Sequence, residues 1–431
     1  MTRRIVLLGS TGLNKMTLAG DLRTMGDRLG TGTEIVEIEQ QISKQMNYKN
    51  WSQYLDTDVY SQANVWNDGW ESTKKVFEDD SKDHEIVVGH GSLIDETFGA
   101  RPGLNPFKIA KEFNPNLVVT LIDNVFQMWF ETEARAEKNK HQARPTLEQL
   151  LMARRVEILI GDQIVAAAGD QGRIPHYLLS VNNPRKTFEN LLLHQANLVY
   201  LSFPISIPRR LLRSEKKQSL GEEFVAGINS FHQHAASLQR DNPKIGIVSP
   251  LTIDELPFSR FAMREIAELI KSERELEEFN LDFSPLKYCW NIDDLFPADE
   301  KFSRSREQSK KINAKLAFDV LGSIGTDVTW RDSRLTTQSQ ALAVYCPVGP
   351  DFKSKSRMAR GVETEILLAA KNHIPCHIYQ DIRFDPEDVL GNWIGKKEGT
   401  MGKNIVSRFV HVHSSQDDLF QSLTKSIVQT R

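Results

Sequence analysis

Along this chain, short runs of aliphatic and β-branched residues alternate with longer stretches of helical spacing. That rhythm predicts an α/β protein built on parallel sheets. Ile5 to Leu8, Glu85 to Gly91 and Leu117 to Ile122 are largely apolar runs, as strands covered on both faces are. Asn197 to Ser202, Lys244 to Ser249, Ala341 to Cys346, Pro375 to Tyr379 and Ser407 to Val412 form a second set. Between them, Leu147, Leu150, Leu151, Ile158 and Ile164 mark one side of a long helix. Phe224, Ile228 and Phe231 mark another, and Leu419, Leu423 and Ile427 a closing one. The most informative unit is Thr329 to Tyr379, read as strand, polar loop, helix and strand. Ligands in such sheets bind at the carboxyl ends of the strands. Glu365 is placed at the start of that helix, where the N-terminus stabilises an anion.

Gly169, Gly172, Pro175, Asn182, Asn183 and Pro184 cluster between the two sets of strands, and the chain divides there. The expected layout is a first domain over 1–175, a linker over 176–195 and a second domain over 196–431. A charged helical insertion is expected at about 259–320 of the second domain. Phe283 to Phe302 has no clear period and receives no assignment. Both domains are expected to be doubly wound parallel sheets.

Composition narrows the class. A length of 431 residues gives room for two or three domains. Lys and Arg total 54 against 57 Asp and Glu, net −3, which implies no polyanion-binding field and no nucleic-acid partner. Cys289, Cys346 and Cys376 show no metal-like spacing and read as reduced thiols. No apolar stretch approaches the roughly 18 residues of a membrane span. The apolar run after the basic N-terminus is too short for a signal segment. The expectation is a soluble cytoplasmic protein with no membrane partner.

Two stretches carry candidate chemistry. In the first, a strand leads into a Gly-rich loop and then a helix, with Gly9, Gly12, Asn14 and Lys15 in the loop. This is the P-loop context, where backbone N–H groups and the Lys hold phosphates. Asn14 stands in place of the second glycine and Met16 in place of the Mg²⁺-binding hydroxyl. Thr17 serves as the metal ligand only with a shift of register. Asp123, after a buried strand, reads either as its Mg²⁺ partner or as a turn residue. His90 receives no role. GHGS at 89–92, RPGLNP at 101–106 and NPNLVV at 114–119 follow in an order that resembles archaeal-type adenylate kinases and related P-loop nucleoside monophosphate kinases. The resemblance covers about residues 3 to 170. It implies ATP with its phosphates on Lys15, Mg²⁺, and a basic lid over 131–144 that includes Arg135 and Arg144. Arg154 and Arg155 read as further phosphate contacts or as solvated helix residues.

In the second stretch, Gly361, Glu365 and Ala369 are spaced G-x-x-x-E-x-x-x-A before the strand that begins at Pro375. This resembles the signature of nucleoside 2-deoxyribosyltransferases and the related nucleotide N-hydrolases. The resemblance implies a Rossmann-type fold with Glu365 as the nucleophile at C1′ of the sugar. Asp332, in WRDSRLTTQSQALAVY, resembles the residue that orients the base. NLVYLSFPIS resembles the family's first strand and turn, which places Tyr200 near the nucleophile and Ser202 and Pro204 at the substrate. LGNWIG at 390–395 resembles a segment that closes over the site. Gln340 stands where the family has a second Asp, and Arg360 where it has a small residue. Arg209, Arg210 and Arg213, with Lys353, Lys355, Arg357 and Arg360, either hold a phosphorylated sugar or are solvated loop charges.

The leading expectation is an enzyme that cleaves or transfers the N-glycosidic bond of a (deoxy)nucleoside or nucleotide, fused to an ATP- or monophosphate-binding domain. No cofactor is required for the glycosidic chemistry, and the resemblance implies a homo-oligomer. Two alternatives stand beside it. One is a nucleotide sensor or defence effector without turnover. The other is a monophosphate kinase with an accessory nucleotide-binding domain.

Overall fold

The computed structural model describes residues 2–10, 13, 15–47, 52–55, 57–77, 82–95, 99–138, 144–169, 174–284, 311–350, 356–385, 388–401 and 405–429. The chain forms two compact units. Among the described residues, unit one holds those up to 181 together with 253–284 and 311–326, and unit two holds 182–252 and 327–429.

Unit one is built on β1 (Arg3–Gly9), β2 (Thr33–Glu37), β3 (His84–Gly89), β4 (Leu117–Ile122) and β5 (His176–Ser180). They pair in the order β2-β3-β1-β4-β5, parallel throughout. β3, β4 and β5 are buried at every position, which explains why apart from His84, Glu85 and His176 at their amino ends they carry apolar residues and small hydroxyls. The helix Val59–Val76 contributes Trp66 and Trp70, stacked at 5.9 Å, to the core on one face of the sheet. The long helix Leu147–Ala167 opens on a capping box in which Thr146 and Gln149 satisfy each other's backbone N–H groups.

Unit two repeats the plan with β6 (Asn197–Ser202), β7 (Ile245–Val248), β8 (Ala341–Tyr345), β9 (Cys376–Tyr379) and β10 (Val410–His413). The order is β10-β9-β8-β6-β7, again all parallel. Val199 and Leu201 of β6 and Ala341, Ala343 and Tyr345 of β8 point into one core, with Phe224, Ile228 and Phe231 of the helix Gln218–Asp241. By the two-residue period of a strand, Tyr200 and Ser202 face the other side.

Three expectations change. Residues 176–195 are no plain linker. Their first part is β5, hydrogen-bonded along β4, and residues 185–193 are helical. The Gly- and Pro-rich signal there marks turns on both sides of a buried edge strand. Residues 253–284 and 311–326 belong to unit one and not to an insertion of the second domain. Phe258 and Phe283 pack on Phe126 at 5.3 and 5.6 Å. Glu255, fully buried, accepts from Arg154 at 2.6 Å and from the Val125 N–H at 2.8 Å. Finally, residues 405–409 are helical, so the last strand begins at Val410.

Arg154 is thereby committed to the fold. Besides Glu255 it donates to the Asp123 carbonyl at 3.0 Å. Removing one partner of a buried ion pair strands the other charge, so Arg154→Met is expected to cost about 3–5 kcal/mol in urea unfolding. A cost under about 1 kcal/mol contradicts this assignment.

Candidate active site

In unit two the order of the strands reverses between β6 and β8, and the carboxyl ends of these two strands open the crevice where such sheets bind ligands. Tyr200 and Ser202 rise from the end of β6, both fully buried. The register Leu342 to Tyr200 and Val344 to Ser202 fixes their height. The helix Arg360–Lys371 follows β8, burying Val362, Ile366, Ala369 and Ala370. On that helix Glu365 turns inward. Its Oε1 accepts from the Tyr200 hydroxyl at 3.1 Å, and its Oε2 accepts a short hydrogen bond from Ser202.

The helix begins at Arg360, so Glu365 sits in its second turn and not at its start. The helix dipole acts within the first turn, and here it is outweighed. Burial, and after it the nearby Asp332 carboxylate, push the Glu365 pKa up to about 8, against the pull of Ser202, Tyr200 and Arg331. The Tyr200 hydroxyl is held neutral by burial and by the Glu365 and Asp332 charges. Asp332 comes from the helix Ala314–Thr337, and the buried Arg331 donates to its Oδ1 through Nε at 3.0 Å and Nη2 at 2.9 Å. Two carboxyl groups with a tyrosine and a serine thus interact at the carboxyl end of β6.

The remaining expected residues are placed as follows. Pro204 is buried in the turn after β6. Gly361 is exposed, and a Cβ there meets nothing within 4 Å, so the protein's own packing does not require glycine. Arg357 and Arg360 are exposed, Arg357 on the strand Ser356–Met358. Lys353 and Lys355 lie outside the described residues. Gln340 stands at the amino end of β8, where its backbone N–H donates to Leu198 and its side chain accepts from the Leu198 N–H at 2.6 Å. It extends the sheet at the end opposite to Glu365. The 390–395 segment is helical, and Trp393 donates to Glu363 at 2.8 Å. Glu363 also pairs with Lys397 at 3.2 Å, which ties the two helices together two residues from Glu365. Sequence reading missed Glu363 and Arg331; the charge beside Asp332 was the available signal for the latter.

In unit one, Lys15 opens the helix Lys15–Arg28 directly after the loop that follows β1. It is buried and donates a short hydrogen bond to the Gly9 carbonyl. Burial lowers its pKa, while Glu39, Glu157 and Glu37 favour its charge and Arg135 opposes it. Burial also opposes ionisation of Glu39, but the charge and hydrogen bond of His90 outweigh it and bring the pKa to about 2. His90 meets Glu39 through its backbone N–H at 2.6 Å and Nδ1 at 2.8 Å. Glu157 holds the turn after β3, accepting from the N–H groups of Gly91 and Ser92 at 2.8 and 3.0 Å. A Cβ at Gly91 would lie 2.6 Å from Glu157, so this contact needs glycine.

Gly12 and Asn14 lie outside the described residues. Thr17 is exposed, whereas Asp123 is fully buried and its Oδ1 accepts from the Asn124 N–H at 2.8 Å. Among the described residues, no group of three or more His, Cys, Asp or Glu is arranged to hold a metal ion. Arg144 is exposed and lies 3.8 Å from Glu133. Among the described residues, no helix is long and apolar enough to cross a membrane.

No family model matches the chain, and no curated protein matches it. Among solved structures, it is similar to shikimate kinase from Acinetobacter baumannii in complex with shikimate. The identity is 13%, over 45% of this chain and 95% of that one, with a TM-score of 0.28. It is also similar to a structure of the PezAT chromosomal toxin–antitoxin system of Streptococcus pneumoniae, at 14% identity over 42% of this chain and 68% of that one, TM-score 0.26. Overlaps this low add nothing to the reading of either site, which rests on the chain's own geometry.

The raised pKa of Glu365 has a stability consequence. The folded state binds this proton more tightly than the unfolded chain, whose carboxyl titrates near 4.5. The stability it confers is complete below about pH 4.5 and is lost as the pH rises toward about 8. Wild-type unfolding free energy should therefore fall across that window relative to Glu365→Gln, whose amide does not titrate. Parallel pH profiles contradict the burial of an acid here.

Proposed function

We propose that unit two breaks the bond between C1′ of a (deoxy)nucleoside or nucleotide and its base, with Glu365 as the nucleophile. The observation that carries this reading is the inward carboxyl of Glu365, held by Tyr200 and Ser202 at the strand-reversal crevice. A Glu Oε attacks C1′ as the C1′–N bond breaks, through an oxocarbenium-like transition state, and the bonding electrons leave with the base. Asp332 orients the base and, as an ionised carboxylate, relays to the departing base nitrogen the proton that Glu365 gives up on becoming the nucleophile. Tyr200 and Ser202 fix which carboxylate oxygen faces the sugar. Water then attacks C1′ and frees Glu365, giving hydrolysis; a second base in its place gives transfer.

The proton on Glu365 fits this scheme. A base that donates a hydrogen bond to Asp332 spreads the charge that repels Glu365, so substrate binding itself promotes ionisation of the nucleophile. Arg357 and Arg360, exposed on the segment before Glu365, favour a phosphorylated sugar. The open space at Gly361 leaves room for substrate beside the helix.

A second reading concerns unit one. The buried Lys15 after β1, at the end of a parallel strand, favours a P-loop-like domain that binds nucleotide phosphates.

Chromatography of nucleosides and nucleotides incubated with the protein tests the first proposal. Wild type should release free base, and Glu365→Ala should lower the rate by about 10³-fold or more. Base release unchanged in Glu365→Ala overturns the assignment. For unit one, Lys15→Ala should abolish ATP binding measured by calorimetry while leaving base release in place; equal ATP affinity in both proteins removes the phosphate role of Lys15.

A further inference from the structure

We propose that Glu363 is a positioning residue for Glu365: it clamps the helix Val389–Met401 onto the helix Arg360–Lys371 and so sets where the nucleophile's carboxyl lies. The proposal rests on the reading of Glu365 as the nucleophile and adds to it the contact that seats that residue. All of its parts belong to unit two.

Successive residues of an α-helix are about 100° apart around its axis, so Glu363 and Glu365 point to nearly opposite flanks. Glu365 faces the hydroxyls of Tyr200 and Ser202. Glu363 faces the helix Val389–Met401, where its Oε1 accepts from Trp393 Nε1 at 2.8 Å and from the Lys397 ammonium at 3.2 Å. Trp393 and Lys397 are four residues apart and so share one face of their helix. Trp393 is buried, and Lys397 lies over its ring at 5.9 Å. A carboxylate acceptor makes both contacts charge-assisted, about twice as strong as neutral hydrogen bonds.

The other end of the clamp is anchored to the sheet. Asp385 Oδ1 accepts from the Val389 N–H at 2.7 Å, and its Oδ2 from the Leu390 N–H at 3.0 Å. Gln380, directly after β9, donates its side-chain amide to Asp385 Oδ2 at 2.9 Å. Its backbone N–H donates to the His413 carbonyl of β10 at 3.0 Å. The first turn of the Glu365 helix is held less firmly by its own residues. Ala359 provides no side-chain cap, Arg360 and Gly361 are exposed, and a Cβ at Gly361 meets nothing within 4 Å. Val362 packs inward, and Glu363 supplies the lateral hold. The path runs from the sheet through Asp385, Trp393 and Glu363 to Glu365. A displacement of about 1 Å at a reacting group costs about 10²-fold in rate, so a slacker first turn is felt at the nucleophile.

Glu363→Ala removes both contacts. Glu363→Gln keeps an acceptor for the indole N–H but not the charge, and Trp393→Phe keeps the ring without its N–H. For Glu363→Ala, base release should fall about tenfold in kcat with KM within about twofold, and the other two variants should lie between it and wild type. A second readout needs no turnover. The Tyr200 and Ser202 hydrogen bonds hold the Glu365 pKa down against burial, so loosening them raises it. Each variant is compared in unfolding free energy with the same variant carrying Glu365→Gln. The pH-dependent gap within each pair should extend above the wild-type limit of about pH 8. A general loss of stability lowers both curves of a pair together and leaves the gap unmoved. If wild type releases no base, the glycosidic reading fails and the unfolding pairs alone decide on Glu363. An unchanged gap in all three variants overturns the positioning role, as does a Glu363→Ala kcat equal to that of an active wild type.

Discussion

The pairing of β6 with β8 sets everything that happens at the unit-two site. Tyr200 and Ser202 reach Glu365 because they lie two residues apart on one face of β6, while Val199 and Leu201 anchor the opposite face in the core. A slip of one residue would send both hydroxyls into the hydrophobic layer and Leu201 into the crevice. The apolar face therefore fixes the polar one. The same two hydroxyls allow a carboxyl group to be buried at all, since each of its oxygens receives a donor. Burial against these partners, beside Asp332, then holds the proton on Glu365 into the neutral range.

Unit one shows the same constraint with charges in place of hydroxyls. Lys15 is buried with Glu39, Glu157 and Glu37 as its electrostatic partners, and His90 fixes Glu39. Glu157 is itself held by backbone N–H groups of the turn after β3. In both units these buried charged and hydroxyl groups gather at strand ends, where backbone donors and neighbouring loops can satisfy them, while the strand centres are mainly apolar, with Thr120 and His377 as exceptions.

Much of this was legible in the chain. Unbroken apolar runs identify β1, β3, β4, β6, β7, β8 and β9, because strands buried on both faces need no polar side. β2 escaped notice: Thr33–Glu37 is short and carries Thr33, Glu34 and Glu37 among two apolar residues. β5 was hidden by the Gly and Pro signals around it, which mark turns without saying whether a strand lies between them. The helix start at Arg360 was misplaced toward Glu365, since Ala359 offers no side-chain cap to signal the boundary. The placement of 253–284 with unit one depends on pairs such as Arg154 with Glu255, 101 positions apart, which no local pattern encodes. Of the site, Glu365, Tyr200 and Asp332 were named through motif spacing and resemblance. Their hydrogen bonds, and the part of Arg331, required three dimensions.

The most direct test of the central claim is mass spectrometry of the full chain after incubation with a 2′-fluoro-substituted nucleoside or nucleotide, chosen to slow release of a covalent glycosyl–enzyme intermediate. The account predicts an added mass equal to the fluorinated sugar, carried by the proteolytic peptide containing Glu365 and absent from Glu365→Gln. A sugar adduct on any other residue, or base release from this substrate with no adduct at Glu365 under rapid quench, would contradict it.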